Sequence, residues 1–265
     1  MASSPTELDP LFFDARDGTR LAYYEMGDPA ARPVVMIHGL FSNAWTNWVR
    51  YGHAARVAEA GHRVILPDLR GHGRSGAPHD PAAYPPDVLA DDGEALIAHL
   101  GLTDFDFDIV GYSLGGRTTL RMLVRGLRPG RAVLSGMGLG GILHTSGRGE
   151  FFRKVLENFG SNPRGTPEWF SEAFLKTTGG DPKAMIPLLD SFVDTTREEL
   201  AEVDLPILVL NGVDDQDNGS GEALAGALPA GRFEEIPGNH MTAVLKPELG
   251  QALTSFLLAK VANES

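Results

Sequence analysis

The chain of 265 residues carries a serine, a group of aspartates and a histidine, each directly after an apolar segment. Ser113 lies in the stretch GYSLGG, between Gly111 and the pair Gly115 and Gly116. A serine hydroxyl is a weak nucleophile until a base takes its proton, and an imidazole with a near-neutral pKa is well suited to that task. His240, in the stretch PGNH, is the candidate base.

A carboxylate on the far ring nitrogen of such a histidine fixes its tautomer and stabilises the imidazolium as it forms. The stretch NGVDDQD offers Asp214, Asp215 and Asp217 for this position. The residue types therefore predict acyl transfer through a covalent intermediate on the serine.

A tetrahedral intermediate also needs hydrogen-bond donors for its oxyanion, each worth about 10² to 10³ in rate. The apolar stretch VMIHGL ends at His38, Gly39 and Leu40. We predict that the backbone N–H of Leu40 and that of Leu114, which directly follows Ser113, converge on the oxyanion. His38 precedes a turn where a base would be poorly aimed, so we expect it to hold the loop by hydrogen bonds.

Short apolar segments rich in β-branched residues alternate with helix-like stretches, which predicts strands separated by helices. The inner segments are almost continuously apolar, as expected for parallel strands buried on both faces. The predicted class is therefore α/β. The eight candidate strands are LFFDA, LAYYEMG, PVVMIHG, HRVILPD, DFDIVGYS, RAVLSGMG, PILVLNG and RFEEIPG.

The candidate site residues follow three of these strands. Ligands of an open parallel sheet bind outside the carboxyl ends of its strands. We therefore expect Ser113, the aspartate group and His240 to meet at one edge of the sheet.

The segment between the sixth and seventh strands has helix signals and no strand pattern. Thr166 and Asp181 each precede a proline, as an N-cap precedes a helix-starting proline. Thr196 and Glu199 have the spacing of a capping box. The predicted division is a core at 1–138 and 204–265 and a helical cap at 139–203.

The chain resembles serine hydrolases of the α/β-hydrolase fold, in the carboxylesterase and enol-lactonase branch. HGLF, PDLRGHGRSG, GYSLGG, NGVDD and PGNH carry this resemblance over nearly the whole chain, in the family's order. It implies an eight-stranded, mostly parallel sheet flanked by helices, with a helical cap inserted after strand six. It also implies a triad of Ser113, Asp215 and His240, an oxyanion hole at Leu40 and Leu114, and a strained backbone at the serine.

Related enzymes that catalyse other reactions differ from this chain at specific positions. Haloalkane dehalogenases and epoxide hydrolases place an aspartate where this chain has Ser113, and segment 139–203 lacks the tyrosines with which epoxide hydrolases hold the oxygen. Carbon–carbon bond hydrolases favour Asn and Trp where Tyr112 and Met241 stand, and cofactor-free perhydrolases usually carry Trp in place of Leu40. The resemblance favours an esterase, with lactone or carbon–carbon bond hydrolysis, perhydrolysis and a small-ligand receptor as alternatives.

The substrate is expected to be a small, neutral, largely apolar carboxylic ester, because the segment 139–203 is rich in aromatic residues. An acidic substrate would require Arg148, Arg153, Lys154 or Arg164 to face inward, whereas charges on amphipathic helices usually face solvent. The predicted substrate-binding residues are Phe41, Tyr112, Phe152, Trp169 and Met241.

The composition and motifs limit the classes of partner and cofactor that the protein is expected to bind. The formal net charge of −12 argues against nucleic acid and anionic membranes, which are themselves negative. There is no cysteine, no metal-binding HExxH and no phosphate loop ending in GK(S/T). GMGLGG lacks the acidic residue of a dinucleotide site, and DDQDNG lacks two calcium-loop ligands. We expect a small-molecule substrate, no cofactor and no metal.

The start of the chain lacks the basic patch and apolar run of a signal peptide, and no segment approaches the run of about 18 apolar residues that spans a membrane. A cytoplasmic location is therefore expected. The sequence leaves the oligomeric state open.

Overall fold

The computed structural model describes residues 8–259, without the side chains of 146–148. Within these residues one sheet contains all eight predicted strands. The strands are β1 (Leu11–Asp14), β2 (Arg20–Met26), β3 (Arg32–Ile37), β4 (His62–Pro67), β5 (Asp108–Tyr112), β6 (Ala132–Ser135), β7 (Ile207–Gly212) and β8 (Gly231–Ile236).

Ten α-helices connect and flank the strands in the described part of the chain. None of the helices between residues 8 and 259 has the length and apolar character needed to cross a membrane. The helices are α1 (His53–Glu59), α2 (Val88–His99), α3 (Leu114–Val124), α4 (Leu139–Leu143), α5 (Ser146–Glu157), α6 (Pro167–Thr178), α7 (Pro182–Asp190), α8 (Arg197–Ala201), α9 (Gly221–Gly226) and α10 (Pro247–Leu258), with a π-helix at Trp45–Val49 and 3₁₀ turns at Pro81–Ala83 and Ala243–Leu245.

The sheet order is β1-β2-β4-β3-β5-β6-β7-β8. Only β2 runs antiparallel to its neighbours, β1 and β4, and the remaining pairs are parallel. The predicted eight-stranded, mostly parallel sheet flanked by helices is therefore confirmed.

Burial on both faces explains the continuous apolar character of the inner strands. In β3, Val35 and Ile37 belong to the core on one face of the sheet, whereas Val34 and Met36 belong to the core on the other. Parallel strands need helical crossovers, which cover both faces. The carboxyl ends of β3, β5, β7 and β8 are thereby held together at one edge, where the candidate residues lie.

Helices α4–α8 lie between β6 and β7, and their caps follow the predicted signals. Thr166 accepts a hydrogen bond from the Trp169 N–H at the start of α6, and Asp181 caps α7 in the same way. Thr196 and Glu199 form both bonds of a capping box at α8. The predicted helix starts are confirmed, while the role of residues 139–203 as a separate cap domain stays a prediction.

Candidate active site

Ser113 connects β5 to α3 with a strained backbone, at φ 53° and ψ −115°. A positive φ is uncommon for a residue with a side chain and is tolerated where the surroundings enforce it. A Cβ on Gly111 would lie 2.2 Å from the Gly115 carbonyl oxygen, and one on Gly115 would lie 2.1 Å from that of Ile37. The glycines thus allow strand and helix to approach closely, and the predicted strain at Ser113 is confirmed.

The structure brings the three residues of the predicted triad into one hydrogen-bonded chain. His240 Nε2 lies 2.9 Å from Ser113 Oγ, and His240 Nδ1 lies 2.9 Å from Asp215 Oδ2. Because a carboxylate accepts at Nδ1, that nitrogen carries the proton and Nε2 is left to accept from the serine. Asp215 is buried, whereas its neighbour Asp214 is exposed.

Backbone contacts fix the aspartate and the histidine. The Asp215 N–H donates to the Gly212 carbonyl, and the Asp217 N–H donates to Asp215 Oδ1 at 3.1 Å. The Tyr112 hydroxyl donates to the His240 carbonyl at 2.6 Å, and burial raises the pKa of Tyr112, so it stays a donor. Tyr112 therefore also orients the turn that carries the histidine.

Two backbone N–H groups are free beside the serine. Among residues 8–259, neither the Leu40 nor the Leu114 N–H donates to a protein acceptor, and both residues line a cavity with Ser113. A Cβ on Gly39 would lie 3.3 Å from the Ser113 Cβ, so the loop after β3 runs directly against the serine. The arrangement has the form of an oxyanion hole.

Two buried histidines support this loop. His38 Nε2 accepts from the Leu69 N–H at 3.0 Å while Nδ1 donates to the Gly39 carbonyl, which matches its predicted structural role. His72 Nε2 accepts from the Phe41 N–H at 3.2 Å. Burial lowers the pKa of His38 to about 4 and that of His72 to about 3, so both rings are neutral.

We predict that these neutral rings make stability depend on pH. Below the ordinary histidine pKa of 6.5 the unfolded chain takes up protons that the folded rings refuse, so stability is present above 6.5 and is lost toward pH 4. Each ring should lower the free energy of unfolding by about 1.4 kcal/mol per pH unit in that range. Urea unfolding at pH 7, 6 and 5 measures the slope.

Two variants provide the test of this slope and its control. His72→Gln should make the slope shallower by about one proton, whereas Ser191→Ala, which removes a buried hydroxyl and no titrating group, should leave the slope unchanged. Equal slopes for wild type and His72→Gln would contradict the neutral, buried state of His72.

Two cavities meet at Ser113 and Leu40. One has a volume of about 90 Å³ and is mainly apolar, with Tyr51, Tyr112, Phe174, Met241, Val244 and Leu245 in its lining. The other has a volume of about 60 Å³ and includes Leu114, Arg117, Met137, His144, Phe152 and Phe192. A third cavity, of about 570 Å³, is larger than both but contains no triad residue, so its size does not make it the site.

Of the predicted substrate-binding residues, Tyr112 and Met241 line the apolar cavity and Phe152 lines the smaller one. Phe41 and Trp169 line neither cavity, and their role in substrate binding stays a prediction. Phe41 is buried in an apolar cluster beneath the helices, with its ring 5.3 Å from that of Phe152.

Trp169 packs elsewhere on the helical segment. Its ring lies 5.1 Å from that of Phe170, which is 61% exposed, and the Arg164 guanidinium lies 5.8 Å above it. Trp169 is half-buried among these neighbours.

Asn47 is a site residue that the sequence analysis missed. Its Oδ1 accepts from the Gly39 N–H at 3.1 Å, and it lines the apolar cavity with Ser113. Asn47 lies in the π-helix Trp45–Val49, and such helices are frequent at functional sites. No sequence signal marked it, because its position depends on that irregular turn.

Three of the four cations considered for an acidic substrate, Arg153, Lys154 and Arg164, contact residues of the helical segment. Arg153 pairs with Asp190, and Lys154 with Glu168. The side chain of Arg148 lies outside the described residues. Arg117, which was not considered, is the arginine in the lining of the smaller cavity.

The fold and the arrangement around Ser113 define an α/β protein with a Ser–His–Asp array at the carboxyl edge of its sheet. The model of the alpha/beta hydrolase fold family matches residues 32–247, and the chain belongs to this family. It is 30% identical over 237 residues to the non-heme chloroperoxidase CPO-A1 of Kitasatospora aureofaciens, covering 76% of this chain and 80% of the relative.

Two further comparisons agree with this membership. The chain is 29% identical over 242 residues to a non-heme haloperoxidase of Rhodococcus erythropolis, covering 77% of this chain and 82% of that protein. A thermophilic esterase from Thermogutta terrifontis superposes with a TM-score of 0.76 at 23% identity, covering 94% of this chain and 98% of the esterase. The predicted resemblance to α/β hydrolases is confirmed.

Proposed function

We propose that this protein is a carboxylic ester hydrolase that works through an acyl-enzyme on Ser113. The observation that carries the proposal is the pair of 2.9 Å contacts of His240, one to Ser113 and one to Asp215. With two free backbone donors beside the hydroxyl, these groups supply a nucleophile, a base and an oxyanion site at one point.

In the first half-reaction, Ser113 Oγ attacks the ester carbonyl while His240 Nε2 takes the hydroxyl proton. The carbonyl oxygen becomes an oxyanion that accepts from the N–H groups of Leu40 and Leu114. Asp215 stabilises the imidazolium through Nδ1–H. Collapse of the intermediate breaks the ester C–O bond, and His240 returns its proton to the departing alkoxide.

In the second half-reaction, water attacks the acyl group on Ser113 and gives its proton to His240. The oxyanion forms again at the same two donors, and the intermediate collapses with Ser113 as leaving group, which regains its proton from His240. The product is a carboxylic acid, and the enzyme returns to its starting protonation state.

The apolar cavity supports an apolar substituent on one side of the ester bond. Tyr51, Phe174, Met241, Val244 and Leu245 supply little polarity there. Such a surface discriminates by only about 1 to 3 kcal/mol per methylene, so preference among chain lengths is expected rather than strict selection.

The haloperoxidase names of two relatives favour perhydrolysis as a second candidate activity. Hydrogen peroxide in place of water would attack the acyl group on Ser113 and release a peracid. Adding peroxide to the ester assay and measuring peracid separates this reaction from hydrolysis.

A fluorophosphonate probe tests the proposed function. We expect covalent labelling of the wild-type protein, abolished in Ser113→Ala, and turnover of p-nitrophenyl butyrate by the wild type. The probe reacts with an activated serine, so a small-ligand receptor on this fold would remain unlabelled. Absence of both labelling and turnover in folded protein would overturn the proposal.

A further inference from the structure

Helix α3 and its C-cap carry three arginines at four-residue spacing, and two of them are paired with carboxylates. Arg121 contacts Asp87 at 2.6 Å, and Arg125 contacts Glu94 at 2.7 Å. Arg117, one turn after Ser113, differs from both. Within residues 8–259 no carboxylate forms an ion pair with it, although it is only 8% exposed.

The Arg117 guanidinium instead donates to the main-chain carbonyls of Gly141 and Val193. Burial lowers its pKa to about 10, so it still carries a full charge at neutral pH. A buried charge is costly unless an opposite charge or a set of hydrogen bonds compensates it. The two carbonyl dipoles, the Phe192 ring at 6.0 Å and the more distant carboxylates of Asp194 and Asp87 compensate part of this charge. No carboxylate of the described residues pairs with the guanidinium directly, which leaves an attractive site for an anion.

The charged Arg117 lies at the smaller of the two cavities beside Ser113. Arg117 and Ser113 line the same cavity, whose volume of about 60 Å³ exceeds several times the roughly 10–15 Å³ that one water molecule needs. His144 and Asn218 add polar groups to the lining, and Phe152 and Phe192 add apolar ones. A short chain that ends in a charged group suits this mixture.

We propose that the ester cleaved at Ser113 carries a carboxylate, and that this carboxylate binds Arg117 in the smaller cavity. The inference rests on the proposed function. It departs from the expectation of a wholly neutral substrate, which considered only the cations of residues 139–203. Guanidinium and carboxylate pair well because their donors and acceptors match in number and geometry.

Pairs of isosteric esters test the proposal. Monomethyl glutarate and methyl 5-methylhexanoate place a carboxylate or an isopropyl group on the acyl side, and 4-acetoxybutanoate and 4-methylpentyl acetate do so on the alcohol side. We expect kcat/KM of the wild type to favour the anionic member of one pair by about 10- to 100-fold. The pair that shows the preference identifies the side that occupies the smaller cavity.

Three variants separate recognition from a structural role. In Arg117→Gln the ratio of anionic to neutral kcat/KM should fall to about 1, and in Arg117→Lys it should be intermediate, because lysine keeps the charge without the planar geometry. Arg121→Gln is the matched control one turn away, and it should keep the wild-type ratio. Free glutarate should slow fluorophosphonate labelling of the wild type more than that of Arg117→Gln.

The outcomes distinguish this inference from the proposed function. If the wild type is labelled and cleaves both members of each pair equally, the proposed carboxylate on the substrate is overturned and the proposed esterase function is retained. Equal loss of both activities in the Arg117 variants, with an unchanged ratio, also overturns it and assigns Arg117 to structure alone. A wild type that is neither labelled nor active overturns both proposals.

Discussion

Ser113→Ala is expected to lower kcat for ester hydrolysis by about 10⁴-fold or more. The substitution removes the hydroxyl that His240 Nε2 contacts at 2.9 Å and leaves the N–H groups of Leu40 and Leu114 in place. The remaining rate is then what the oxyanion site and binding alone provide. Steady-state hydrolysis of p-nitrophenyl butyrate, normalised to folded protein, measures the change.

A buried serine away from the site provides the control. Ser191 donates to the Leu188 carbonyl at 2.7 Å at the end of α7 and has no contact with His240. Ser191→Ala removes a hydroxyl of the same kind at the cost of about 1 kcal/mol in stability, with kcat nearly unchanged. If Ser113→Ala keeps more than about a tenth of wild-type activity, the acyl-enzyme mechanism is wrong.

The strands could be predicted because burial on both faces leaves a strong mark in the sequence. Segments such as PVVMIHG and PILVLNG are apolar at every central position, and turn residues bound them. The order of the strands in the sheet could not be predicted in this way, because the placement of β4 beside both β2 and β3 depends on contacts between distant segments. The sequence therefore predicts the strands and, through the family resemblance, a mostly parallel sheet, but no order of strands within it.

The array at Ser113 was within reach of sequence reasoning because each member follows a strand, and parallel strands end at one edge. The residues that support this array could not be predicted from the sequence. His72 and Asn47 act through hydrogen bonds to the loop after β3, and the partners lie 31 and 8 residues away, respectively. Such bonds depend on how loops fold over one another, which periodicity does not encode.

Aromatic content alone does not show which face of a helix lines the cavities at Ser113. Phe152 and Trp169 both belong to helices of the inserted segment, yet the first lines a cavity with Ser113 and the second packs against Phe170. Arg117 was missed because its sequence position indicates neither its burial nor its partners. It directly follows the glycine pair that was analysed for its backbone, and only the surrounding structure shows that it is buried without a carboxylate.

Asp215→Asn is expected to lower kcat by about 10⁴-fold while the protein stays folded. The carboxylate accepts from His240 Nδ1 and so places the ring proton away from Ser113. An asparagine can present its NH₂ group to Nδ1, which moves the ring proton to Nε2 and leaves no acceptor for the serine proton. The Asp217 N–H that donates to Oδ1 keeps its partner, so the turn should remain intact.

Asp214→Asn is the matched control, because it makes the same chemical change one residue earlier. Asp214 is exposed, and of these two aspartates it is Asp215 that lies within hydrogen-bond distance of the His240 ring. Surface substitutions of this kind usually change stability by less than about 0.5 kcal/mol, so kcat and the unfolding midpoint should match the wild type. Parallel measurement of kcat and urea unfolding for both variants checks the assignment. Loss of activity in Asp214→Asn alone would transfer the role to that residue, since a carboxylate that fixes the tautomer cannot be replaced by an amide without effect.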